Sequence, residues 1–115
     1  MPREGGDVAY LWDMRDNAQR LLQIMSGVTH ERFDNDEVLR LAAERLLQNI
    51  GEVARRVSLE YREQHPEIAW QKIIGQRNIL VHEYGDVKPG LIWLTVTEDV
   101  EELIHLIDPL IPPED

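Results

Sequence analysis

The chain has 115 residues, 43% of them apolar, which fits one domain with a real core and excludes a wholly disordered chain. It carries 22 acids against 12 bases, a formal net charge of −10, and no cysteine, so disulfides, thiolate metal sites and a cysteine nucleophile are excluded. The N-terminal residues lack the apolar run of a signal peptide, and no stretch approaches the roughly 18 apolar residues of a membrane span. The expectation is a single domain over residues 1–115, cytoplasmic and off the membrane.

Helical periodicity runs through nearly the whole chain. Leu11, Met14, Ala18, Leu21 and Met25 recur every three or four residues, one apolar face of a first helix that Gly27 is suited to stop. Asp34 opens Asp-Asn-Asp-Glu with Glu37 three residues on, which reads as a capping box for the next helix. Leu39, Ala43, Leu46, Ile50, Val53 and Val57 then form a heptad-spaced seam. Their spacing predicts a second helix over about 35–62, roughly 40 Å long at 1.5 Å per residue. Such a seam suits an intrachain core or a dimer equally well.

Pro66 is expected in the first turn of a third helix whose apolar face is Trp70, Ile73, Ile74, Leu80 and Val81. Gly85 and Pro89-Gly90 should break the chain. Leu91 to Val96 is β-prone, but one strand without partners is no sheet, so it reads as an extended connector or a helix start. Thr97 should cap a last helix through Val100, Leu103, Ile104 and Ile107, ended by Pro109 or by Pro112-Pro113. The fold class is all-α, a bundle of about four to five helices.

Charge is unevenly placed along this bundle. From Pro89 to Asp115 there are seven acids (Glu98, Asp99, Glu101, Glu102, Asp108, Glu114, Asp115) and no Lys or Arg. A polyanion therefore meets an unfavourable overall field and needs a local basic cluster to bind. The four histidines, His30, His65, His82 and His105, form no H-x-x-x-H or H-E-x-x-H, which leaves a zinc site without support. His30 and His65 fall in expected loops and His105 in an acidic helix, where solvent exposure is the ordinary reading.

The segment from Gln76 to Asp86 differs, because it gathers Arg77, Asn78, His82 and Tyr84 around Ile79-Leu80-Val81. Arg77 and Tyr84, seven apart, lie within about 20° of each other on a regular helix. Arg77 and His82, five apart, diverge by about 140°. Either the helix ends near His82 or a second chain completes the site. An arginine fork holds phosphate charge, and a histidine moves protons near neutral pH, so the set suits phosphodiester chemistry without a metal or other cofactor. By periodicity alone, a surface ion pair and a capping histidine serve as well.

These residues resemble the HepT family, the toxin half of the MntA–HepT toxin–antitoxin systems within the HEPN superfamily of helical ribonucleases. Arg77, Asn78, His82 and Tyr84 match its R-x-x-x-x-H-x-Y pattern. Arg45 to Ala54 resembles its R-x-L-x-x-I-G-E-x-A stretch, Pro66 to Trp70 its P-x-I-x-W, and Trp93 falls where the family usually has tryptophan. After Tyr84, where the family often has an aromatic, this chain has Gly85.

The resemblance implies a HEPN-like homodimer whose paired motifs form a cleft that cleaves RNA and leaves DNA intact. It implies Arg77 and His82 as catalytic residues and Asn78 as a substrate-orienting one. It further implies Tyr84 as the site where a MntA-like nucleotidyltransferase attaches AMP, silencing a toxin of type VII character. The alternative is a non-catalytic dimeric module that docks the nucleotidyltransferase.

Overall fold

A computed structural model describes residues 6–75 and 89–113, and among these every regular element is helical. The first helix, α1 (Asp7–Met25), buries the expected stripe of Leu11, Met14, Ala18, Leu21 and Met25. It ends where expected: Gly27, with φ +73°, takes the left-handed turn that reverses the chain. A short helix α2 (His30–Asn35) follows, where a loop is expected around His30. Thr29 caps it by accepting the Arg32 N–H at 3.1 Å, and Phe33 is driven fully into the core.

The next helix, α3, spans Glu37–Arg56, shorter at both ends than expected and about 30 Å long. Its cap is Asp36, whose carboxylate accepts the Leu39 N–H at 3.0 Å; the Asp34 expected in that role lies inside α2. The end of α2 leaves carbonyls that Arg40 satisfies, its guanidinium donating to Phe33 O at 3.2 Å and to Asp34 O. At the far end Val57 turns extended (ψ 136°), and Ser58 caps a separate helix α4 (Leu59–Gln64) by accepting the Tyr61 N–H. Arg62 donates to Val57 O at 3.0 Å and Arg55 O at 3.2 Å. Asp7 accepts the N–H and the hydroxyl of Ser58, both at 2.8 Å, tying the start of α1 to this break. Of α4 only Tyr61 packs, partly buried, against the core that α3 helps to build. The capping bonds are what divide the two helices.

The seam of α3 is an intrachain core. Ala43, Ile50 and Val57 are buried, joined by Leu47 and Ala54, while Leu39, Leu46 and Val53 are partly buried at its edge. This stripe packs chiefly on α1, and a polar link crosses the same pair: Asn49 Nδ2 donates to Asn17 Oδ1 at 3.2 Å.

Pro66 stands in a turn, not a helix, with the Ile68 N–H closing onto His65 O at 3.3 Å. Helix α5 begins only at residue 70, and its described part is 70–75. Trp70 is buried and donates its indole N–H to His65 O at 2.9 Å, which holds the turn against the core. Leu80, Val81 and Gly85 lie outside the described residues.

Pro89 opens a helix where a break was expected, its missing N–H harmless at the first position. This α6 (Pro89–Leu94) passes through a π-helical turn, Thr95–Asp99, into α7 (Val100–Ile107) and a final 3₁₀ turn, Asp108–Leu110. Of the two readings of Leu91–Val96, the helix is the one realised. Thr97 caps nothing: it lies inside the π turn, its hydroxyl donating back to Trp93 O at 2.8 Å. Ile92, Val96, Val100, Leu103 and Ile107 are buried.

These assignments yield stability predictions checked by urea denaturation. Asp36→Ala should lower stability by about 1 kcal/mol through loss of a cap. Phe33→Ala should cost about 3–5 kcal/mol through the cavity it leaves.

Candidate functional site

Arg77, Asn78, His82 and Tyr84 all lie outside the described residues, which do, however, hold both flanks of their segment. On the incoming side, Ile73 and Ile74 of α5 pack on the core beside buried Trp70. Lys72 Nζ meets Asp99 Oδ2 at 3.0 Å, an ion pair that joins α5 to the π turn. On the outgoing side, Ile92 is buried and Trp93 packs against Phe33, their ring centroids 5.6 Å apart. Both described flanks are thus seated on one core.

Where α3, α5 and α7 converge there is a cleft of about 100 Å³ with an apolar floor that includes Leu47, Ile50, Ile73 and Leu103. Glu67, Lys72, Asp99 and Glu102 line its polar edge. The π turn contributes both Thr95 and Asp99 to this wall. No His, Asp or Glu group able to hold a metal ion occurs among the described residues. None of the described helices is long and apolar enough to cross a membrane.

The described histidines have distinct settings. His105 is exposed on α7, its nearest acid Glu101 at 3.9 Å. His65 follows α4, meets Glu67 at 3.3 Å and packs on Tyr61 with centroids 4.3 Å apart. Its backbone carbonyl, not its ring, is what Trp70 uses. His30, expected to be merely solvated, stacks flat on Trp93, with centroids 4.8 Å apart and planes 2° from parallel. Helical spacing could not show this, because the two rings are 63 positions apart and meet only when α2 folds onto α6.

The other blocks quoted from the sequence serve the core. Ile50, Gly51 and Ala54 face inward on α3, and Glu52 meets Arg56 one turn on at 3.6 Å. Arg45 is exposed.

The family model "Ribonuclease HepT-like" matches residues 14–110. The chain is 33% identical over 95 residues to "Putative RNase MJ1380" of Methanocaldococcus jannaschii, a match covering 83% of this chain and 87% of that protein. It is 30% identical over 94 residues to "Probable ribonuclease HepT" of Thermococcus cleftensis, covering 82% and 86%. No solved structure matches significantly. The protein is an all-α ribonuclease by class. The chain belongs to the HepT-like ribonuclease family.

Burial raises the Tyr61 phenol above its ordinary value of 10.0, with the nearby carboxylates of Asp7 and Glu67 adding to the effect. The folded state therefore holds the phenolic proton more tightly than the unfolded chain does. Its contribution to stability should be complete below pH 10.0 and lost as pH rises through the higher folded value. Spectrophotometric titration should give Tyr61 a midpoint above the free phenol, and Tyr61→Phe should flatten the alkaline fall in stability.

Proposed function

We propose that this single-domain protein is a metal-independent endoribonuclease acting through Arg77 and His82. The observation that carries this reading is the family match across residues 14–110, together with the family's R-x-x-x-x-H-x-Y residues at Arg77, His82 and Tyr84. His82 takes the proton of a ribose 2′-hydroxyl as that oxygen attacks the adjacent phosphorus. The 5′-oxygen departs as a hydroxyl, protonated by the imidazolium, and a 2′,3′-cyclic phosphate remains. Arg77 stabilises the charge of the crowded phosphorane, and Asn78 orients the phosphate. DNA, lacking the attacking hydroxyl, is no substrate.

In the same reading two copies pair so that Arg77 and His82 of both line one cleft. With the α3 seam turned inward, the apolar side chains left for pairing include exposed Val38 and Leu41. The protein is then the cytoplasmic toxin of a toxin–antitoxin pair. A MntA-like nucleotidyltransferase attaches AMP to Tyr84, bringing an anion to the arginine meant for the RNA phosphate. The exposed acids Glu98, Glu101 and Glu102 favour a second reading, a non-catalytic dimer that only docks that partner, since they repel RNA.

Cleavage assays separate the two readings. RNA cleavage should survive EDTA, and His82→Ala should lower it by about 10²–10⁴-fold with the helical circular dichroism unchanged. Arg77→Ala should lower it about 10²–10³-fold, comparable to loss of one oxyanion donor. Activity abolished by chelation and restored by a metal refutes the mechanism; no cleavage by a folded wild type supports the docking module. Sedimentation should show a dimer at micromolar concentration. Co-expression with the nucleotidyltransferase should add AMP mass to a peptide containing Tyr84, and Tyr84→Phe should escape it.

A further inference from the structure

The stacked pair His30–Trp93 is a built aromatic surface for which neither the core nor the proposed chemistry has a use. Trp93 is anchored by Phe33, which is fully buried and meets it with ring planes tilted 48°. His30 covers Trp93 as a parallel second layer, and its side chain remains 52% exposed. The imidazole is also held at its edge, with Nε2 at 3.5 Å from Asp34 Oδ2 one turn along α2. Plane and edge contacts together fix the ring's orientation before any ligand arrives, which lowers the entropic cost of stacking a further ring on it.

We propose that His30, backed by Trp93, is a base-stacking subsite for single-stranded RNA, extending the parallel pair to Trp93–His30–nucleobase. This rests on the reading that the chain acts on RNA. Flat aromatic rings with an open face are what unstacked bases use, largely irrespective of sequence. The neighbouring charges assign the ligand's base, not its phosphate, to this surface. Glu31, Arg32 and Asp34 share α2 with His30, two acids to one base, while Arg40 is occupied with the carbonyls of Phe33 and Asp34. Trp93 stands in the first turns of α6, the helix by which the chain leaves the segment holding Arg77 and His82. A base held there therefore positions a strand whose scissile phosphate lies elsewhere.

The test uses a short 2′-O-methyl oligoribonucleotide, which lacks the attacking hydroxyl, and the cleavable RNA of the same sequence. Binding of the first is read by quenching of tryptophan fluorescence and by an independent mobility assay. His30→Ala should weaken it about tenfold, in the range measured for loss of one base–aromatic stack. His30→Tyr, which restores a flat ring, should recover it. On the cleavable strand His30→Ala should raise KM and leave kcat unchanged, as expected for an interaction equal in ground and transition states. A single abasic position in the oligonucleotide should weaken wild-type binding but not binding by His30→Ala.

Wild-type KM and affinity in a folded His30→Ala, with cleavage intact, overturn the subsite and leave the ribonuclease reading standing. Binding that depends on His30 in a wild type that cleaves nothing upholds the subsite and removes the nuclease. A wild type that binds no oligonucleotide overturns the subsite.

Discussion

Two apolar stripes of matching pitch, Leu11–Met14–Ala18–Leu21–Met25 on α1 and Ala43–Leu47–Ile50–Ala54 on α3, bury each other along most of their length. Each fully buried Leu, Met or Ile contributes about 1.5–3 kcal/mol relative to exposure. The α6–α7 run adds a third apolar face, with Ile92, Val96, Val100, Leu103 and Ile107 buried, and the shorter α2 is stable only as an addition to these. Phe33 anchors α2, and Trp70 anchors the described part of α5.

Joining short helices to a long pair creates chain ends whose carbonyls need partners. The protein meets this need with arginines from the following helix: Arg40 at the end of α2 and Arg62 at the end of α3. Side-chain caps at Thr29, Asp36 and Ser58 complete the same junctions from the N-terminal side. Two of the chain's 12 bases therefore serve helix ends. The excess of acids leaves an unfavourable overall field for RNA. Binding has to be local, and a base-stacking surface that needs no cation suits such a chain.

The described residues on either side of Arg77 and His82 are seated on the core. Trp70 and the Lys72–Asp99 pair position the incoming helix, and Ile92 and Trp93 position the outgoing one. The π turn at Thr95–Asp99 contributes Asp99 to that ion pair and keeps Val96 and Val100 on the core.

The sequence by itself determined the helical class, the α1 stripe with its stop at Gly27, and the apolar faces of the later helices. Local spacing decides these, because a helix face is set by residues three and four apart. It also carried the motif residues that mark the family, since those are fixed by identity and order. Where helices end was less legible. Asp34 and Asp36 are equally good caps in sequence, and only the packing of Phe33 decides that α2 occupies the first. The break at Val57–Ser58 depends on Asp7, 51 residues away, and on Arg62 reaching back. Whether the α3 seam faced a neighbour or its own chain was decided by α1, whose stripe has the matching pitch. The His30–Trp93 stack was decided by tertiary structure alone: two rings with no local relation become parallel neighbours when α2 and α6 meet over Phe33.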